Sequence, residues 1–356
     1  MAESCTQEDM SAEKLLAKRV QDMVLQGEED QLPSPYVCRK KDQYEDDDHA
    51  VNLAPIPIID LNQAHVDPEE LQSLKLALCS WGCFQAIGHG ISSSLLNNIR
   101  EVGKGFFEQP MEEKSKYAKK VEEFEGYGGD PPPEEGQPLD WQDRLSLDVY
   151  PHHRRKLHLW PENPSSFREV LAEYTEKLKL MTETVSKAIA KCLDLEEESF
   201  ISLFGEEAPL HARFNYYSPS RRPDLVLGLK AHADNSGYTL ILQDEIHGLQ
   251  ILKDGKWLTV PTNPEAILVL LGDQMEIMTN GIFKSPVHRV LSNAGNARTS
   301  IAVFYTPEGT KEIGPIDGLI NEKMNRPRMY KHVKDYADIY WEYYQKGLRA
   351  IHLAQI

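Results

Sequence analysis

The chain changes its hydrophobic period near residue 207. Before that point, Phe167, Val170, Tyr174, Leu178, Met181, Val185, Ile189 and Cys192 recur at three- and four-residue steps. That spacing predicts an amphipathic helix laid on a core, and Ser166 followed by Glu169 has the form of a capping box at its start. After that point, short strand-like runs follow one another: ARFNYY, LKAHAD, YTLILQ, GLQILK, KWLTV, AILVLL, EIMTNG, SPVHRV and SIAVFY, broken by Gly, Pro, Asn and Asp. Many short, evenly spaced strands predict a sandwich or barrel, here of jelly-roll type.

The first half reads as mixed. Leu15, Leu16, Val20, Met23 and Val24 predict an N-terminal helix over 11–26, and the charged stretch from Gly27 to Val51 predicts a linker. Ile56–Leu61 and Cys83–Ile91 predict strands, with helices after Asp67, up to Phe107 and near Glu112–Tyr117. The Gly- and Pro-rich segment Glu125–Pro138 excludes regular structure and predicts an exposed loop that acts as a lid. A last helix is expected from Val333 to Gly347. The fold class expected is mainly β with flanking helices, a double-stranded β-helix (jelly-roll) core with an N-terminal α/β region. The expected division is 1–54 helix and linker, 55–165 N-terminal region, 166–206 scaffold helices, 207–308 jelly roll and 309–356 C-terminal helix.

Composition narrows the function class. A formal charge of −17 disfavours nucleic acid and anionic membranes as partners. No run of about 18 apolar residues occurs, and the first thirty or so residues lack the form of a signal or transit peptide. Five scattered cysteines fit free thiols in a reducing cytoplasm. Nothing in the pattern speaks to oligomeric state.

The chemistry gathers around three pairs of residues two apart, which share a face on a strand. His232 and Asp234 offer an imidazole and a carboxylate to a divalent metal. Two histidines and one carboxylate make the facial triad of non-haem iron(II) oxygenases. Four histidines lie downstream. His332 and His352 flank the last helix, and His247 falls in a hairpin turn. His288, inside the SPVHRV strand pattern, is the best third ligand. Arg298 and Ser300 form a second pair, suited to the far carboxylate of a dicarboxylic co-substrate. Asn215 and Tyr217 form a third, with the Tyr217 hydroxyl in reach of the same carboxylate. A decoy also exists: His65 and Asp67 repeat the spacing, but Asp67 precedes Pro68 and Glu70 and reads as a helix cap.

These motifs together, NYY, HAD, VHR and RTS, resemble the plant iron(II)/2-oxoglutarate-dependent dioxygenases. IPIIDL, WGCFQAIGHGI, FFEQPMEEKSKY and LDWQDRL resemble that family's N-terminal region, so the likeness spans the chain from near Ile56 to near Tyr344. Within the family, the branch acting on specialised metabolites is nearest: flavonoid oxidases, alkaloid O-demethylases and hydroxylases, and senescence-related relatives. Cys83, Gly88, Ala233 and Ser218 depart from residues common there, without removing a ligand or the clamp.

The resemblance implies iron(II) on His232, Asp234 and His288, and 2-oxoglutarate held by Arg298 and Ser300 with Tyr217 and Asn215 beside them. It also implies O2 as oxidant, succinate and CO2 as co-products, and ascorbate as a supporting reductant. The substrate expected is a small, aromatic metabolite such as an alkaloid or flavonoid, hydroxylated, O-demethylated or desaturated. Phe304, which alternates onto the face of Ser300, and Tyr127, in the Gly-rich loop, are candidate substrate contacts. Three alternatives stand beside this reading: a hormone-catabolising oxidase of the same family, a jelly-roll metal protein that is no oxygenase, and a zinc hydrolase on the same ligands. The Arg298–Ser300 clamp separates the oxygenase from the non-oxygenase jelly roll, and inhibition by a 2-oxoglutarate mimic separates it from the zinc hydrolase.

Overall fold

The computed structural model describes residues 19–27, 32–38, 52–120, 123–130, 137–324 and 326–356. In chain order the helices are α1 (Val20–Leu25), α2 (Pro68–Trp81), α3 (Ser93–Phe107), α4 (Met111–Ser115), α5 (Phe167–Cys192), α6 (Ser199–Phe204), α7 (Asp273–Met278) and α8 (Tyr336–Gln345). The strands are β1 (Ile58–Asp60), β2 (Cys83–Ile87), β3 (Gly126–Tyr127), β4 (Asp143–Tyr150), β5 (Leu210–Tyr217), β6 (Leu227–His232), β7 (Tyr238–Gln243), β8 (Leu249–Lys253), β9 (Lys256–Thr259), β10 (Ile267–Leu271), β11 (His288–Leu291) and β12 (Arg298–Tyr305).

Two sheets face each other. The major sheet has eight strands in the order β1-β2-β10-β7-β12-β5-β4-β3, and the minor sheet four in the order β6-β11-β8-β9. From β5 to β12 the chain passes back and forth between the two sheets, with β8 and β9 as a hairpin within the minor one, as in a jelly roll. A core cluster that includes Tyr217, Leu229, Ile241, Leu249, Ile251, Val290 and Ala302 fills the space between them. The larger core lies behind the major sheet. There α5 presents Phe167, Leu171, Tyr174, Leu178, Met181, Val185 and Ile189, all nearly fully buried, to helix α3 and the sheet. The periodic pattern of α5 is thus spent on packing.

Strands from the 55–165 stretch extend the sheet built by 207–308. β2 pairs with β10, and β4 pairs with β5 from Asp143↔Tyr216 to Tyr150↔Leu210. The sheet therefore runs across the division expected from the sequence.

Several local expectations change. EIMTNG, expected as a strand, instead supplies the end of helix α7, whose six side chains are all buried, and the turn after it. A helix covered on every side carries no amphipathic signature. The strand expected over Cys83–Ile91 stops at Ile87, because Gly88 and Gly90 take φ of +62° and +75°. The Ser166–Glu169 capping box does not form: Ser166 is itself helical in conformation and makes no side-chain cap. Only Val20–Leu25 of the N-terminal helix is described, so Leu15 and Leu16, like most of the 27–51 linker, lie outside the described residues. Among the described residues, no helix is long and apolar enough to cross a membrane.

Candidate active site

His232 ends β6 and His288 begins β11, and the two are paired partners across the minor sheet. Their rings lie 4.2 Å apart, centroid to centroid. Asp234 is not on a strand. It follows β6 in the turn toward β7, so the two-residue alternation that suggested it is not what aims it. Local bonds do that instead: the Asp273 N–H donates to the Asp234 carbonyl at 2.7 Å, and the Thr239 hydroxyl donates to Asp234 Oδ2 at 2.5 Å. This leaves Oδ1 facing His232 Nε2 at 3.3 Å and His288 Nε2 at 3.7 Å.

The tautomers follow from the partners. His232 Nδ1 lies 2.8 Å from the Lys230 carbonyl and His288 Nδ1 lies 3.3 Å from the Pro286 carbonyl. A carbonyl oxygen can only accept, so each Nδ1 carries the proton and each Nε2 presents a lone pair. Burial pushes the His288 imidazolium down, with the positive field of His232 adding to it, to about 4. Burial alone would raise the Asp234 carboxyl. His288, His232 and the Thr239 hydroxyl outweigh it and hold the group below the usual carboxylate range.

The three donor atoms fall within 4.8 Å of one another. Two imidazole lone pairs and one free carboxylate oxygen, in a buried pocket, fit a divalent transition metal. The decoy pair is elsewhere. Asp67 Oδ1 accepts the Glu69 N–H at 2.9 Å and caps α2, while Glu70, expected to close a capping box, accepts the Asp60 N–H instead. His65 sits in the preceding turn, and its carbonyl takes Lys191.

The major sheet supplies the opposite wall. Arg298 pairs with Tyr217 and Ser300 with Asn215, so all four side chains lie on one face. Arg298 is 1% exposed. Its Nε donates to the Ile246 carbonyl at 3.1 Å, and one terminal nitrogen donates to Gln243 Oε1 at 2.9 Å. The other terminal nitrogen, Nη1, is buried without a partner among the described residues. An unmatched guanidinium N–H in the interior is costly, and a carboxylate is its natural complement. Asn215 donates to the Ser300 hydroxyl at 3.2 Å, and the Tyr217 ring lies under the guanidinium at 5.1 Å. Both walls line one cavity, bordered by His232, Asp234, His288, Arg298, Ser300 and Phe304 among others.

Tyr127 does not come to this cavity. It is fully buried in β3, edge-on to Phe106 and beneath Arg19. The lid expectation fails for it because Gly126 and Tyr127 pair with β4, and the remainder of that loop from 131 to 136 lies outside the described residues. His247, His332 and His352 are exposed.

Sequence reasoning missed four features. Gln243 ends a strand and orients Arg298. Arg213 lines the cavity, two positions before Asn215 and on its face. The strand β4 was passed over although its Leu145, Leu147 and Val149 alternate with Arg144, Ser146 and Asp148. Helix α8 was expected, but not its cover of the minor-sheet ligands: Tyr344 meets the His232 ring edge-on at 5.6 Å and stacks on Trp341 at 5.4 Å. The aromatic density of YADIYWEYY was the available signal.

Two family models match the chain: the 2OG-Fe(II) oxygenase superfamily over residues 209–307, and the N-terminal region described as non-haem dioxygenase in morphine synthesis over residues 56–163. Codeine O-demethylase of Papaver somniferum is 39% identical over 317 residues, 87% of each chain. A flavonol synthase/flavanone 3-hydroxylase of Petunia hybrida is 38% identical, covering 86% of this chain and 89% of that one. Among solved structures, JOX2 in complex with 2OG, Fe and JA superposes with a TM-score of 0.83 and 31% identity, over 95% of this chain and 98% of that one.

Proposed function

The chain belongs to the 2OG-Fe(II) oxygenase superfamily, and from that premise we propose that His232, Asp234 and His288 hold its iron(II), while Arg298 and Ser300 hold the far carboxylate of 2-oxoglutarate. One observation carries the assignment: a His–Asp–His donor cluster and a buried arginine with an unpartnered N–H open into the same cavity. When bound, iron(II) with 2-oxoglutarate and O2 supplies the oxidation of a C–H bond, with succinate and CO2 as co-products.

The protein's own contribution is position and dryness. The Lys230 and Pro286 carbonyls fix the two imidazoles with Nε2 deprotonated. Thr239 occupies one oxygen of Asp234 and leaves the other for the metal. Gln243 and the Ile246 carbonyl hold the Arg298 plane so that Nη1 faces the co-substrate. Tyr217 and Asn215 complete that end, the hydroxyl of the former kept protonated by burial. Phe304 forms part of the substrate wall.

The substrate we propose is a small aromatic specialised metabolite, by analogy with relatives named for codeine and flavonoids. A hormone-catabolising role is the second reading, favoured by the likeness to the JOX2 complex. Cys79, Cys83 and Cys192 are free thiols, in keeping with a cytoplasmic enzyme. Incubating the pure protein with iron(II), ascorbate and 2-oxoglutarate, and following succinate against a metabolite library, tests the assignment. Succinate formation independent of iron(II) would refute it.

A further inference from the structure

Among the described residues, Arg298 Nη1, Arg213 Nε, Arg144 Nε and Ser146 Oγ are buried polar atoms on the cavity-facing side of the major sheet without a hydrogen-bond partner. The co-substrate accounts for the first. The other three form a group of their own. Across the β4–β5 pair, Ser146 stands opposite Arg213 and Arg144 opposite Asn215. Opposed residues of an antiparallel pair share a face, so Arg144, Ser146, Arg213 and Asn215 all project to the side that carries Ser300.

The group is built into the fold. Arg144 is 3% and Ser146 1% exposed. Arg213 is half-buried, lines the cavity and lies over the Phe304 ring at 4.9 Å. Among the described residues, the terminal nitrogens of Arg144 meet one carboxylate, that of Asp130. Lys119 adds to the positive field. Its ammonium is pushed down to about 8, first by burial and then by Arg144, Arg19 and Arg213, with Glu123 opposing. This corner is cationic in a chain whose formal charge is −17, so the excess is local.

Two adjacent guanidinium groups, one buried and one half-buried, each with an unmatched Nε–H, call for an anion beyond Asp130. A planar carboxylate meets such forks best. We infer that the substrate is a carboxylic acid, its carboxylate seated on Arg213 with Arg144 and Ser146 beside it. Its apolar body then lies along Phe304, and the C–H to be oxidised points toward His232 and His288. This rests on the dioxygenase reading of the same cavity and adds the chemical class of what is oxidised.

The test uses the full chain loaded with Mn(II) and N-oxalylglycine, which occupies the co-substrate position and denies Arg298 to the probe. A panel of aromatic and alicyclic carboxylic acids, each paired with its methyl ester, is titrated by ligand-observed NMR. Acids are expected to bind at least about tenfold tighter than their esters, and Arg213→Gln to erase that preference. Arg144→Met should weaken it, and N-oxalylglycine binding by each variant reports an intact fold. No acid-over-ester preference anywhere in the panel, or a preference that survives both substitutions, overturns the inference. Failure of the wild-type protein to bind N-oxalylglycine would instead strike the dioxygenase assignment itself.

Discussion

The Tyr340 hydroxyl donates to the backbone carbonyl of Ala233 at 2.8 Å, and Ala233 is the residue between His232 and Asp234. A helix near the C-terminus thus holds the turn that carries two of the three metal-facing side chains. Burial keeps that hydroxyl protonated far past neutrality, so the bond persists at any working pH.

Tyr340→Phe removes the donor and leaves a buried carbonyl unmatched, a loss of about 1–3 kcal/mol. We expect the iron(II) concentration for half-maximal succinate release to rise about fivefold or more. Iron titration checks this. A lowered melting temperature with an unchanged titration would assign Tyr340 to stability alone.

Arg298→Ala should raise the KM for 2-oxoglutarate far more than the KM for the substrate. A charge-assisted bond is worth about 1.5–3 kcal/mol, or about 10- to 150-fold. Arg298→Lys should recover little, because an ammonium cannot keep the Ile246 and Gln243 bonds while reaching the diacid. Steady-state kinetics in 2-oxoglutarate decide between these outcomes.

How far this was legible beforehand differs by element. The ligand histidines stood out because each lies at the end of a patterned strand, His232 closing β6 and His288 opening β11. Asp234 was found for a reason that the structure replaces: a turn and the Thr239 hydroxyl aim it, not strand alternation. Arg298 was legible because a charge inside an apolar strand needs an explanation. Arg213 and Arg144 were not, since their meeting depends on the β4–β5 register, which the pattern of neither strand alone reveals. Helix α7 was hidden by burial on all sides, and Tyr127 was misplaced because a Gly-rich segment can still lend two residues to a sheet edge.

His232→Ala and Asp234→Ala should each lose bound iron and substrate-dependent succinate formation together. His65→Ala should change neither, since its neighbour Asp67 is occupied as the cap of α2. Metal analysis of the purified variants, alongside the assay, separates the two histidines. Iron retained by the His232 variant, or lost from the His65 variant, contradicts the assignment.

Arg349→Ala should destabilise the fold by about 3 kcal/mol, because it strands the buried Asp273 carboxylate that Arg349 and Tyr336 now share at 2.7 and 2.8 Å. Burial already raises the Asp273 carboxyl, with Arg349 and Tyr336 holding it back. A raised folded-state value means stability present in acid and lost as pH rises. Removing Arg349 raises it further, so the gap between variant and wild type should widen from acid toward neutral pH. Urea midpoints on both sides of the carboxylate range measure this, and a gap independent of pH would contradict it.

Because β2 lies against β10 and β4 against β5, the two matched stretches of sequence cannot be separated cleanly. A gene cut between them would leave each product with raw, adhesive strand borders. Neither fragment should survive as a soluble protein on its own, whereas the pair made together in one cell should reassemble along those seams.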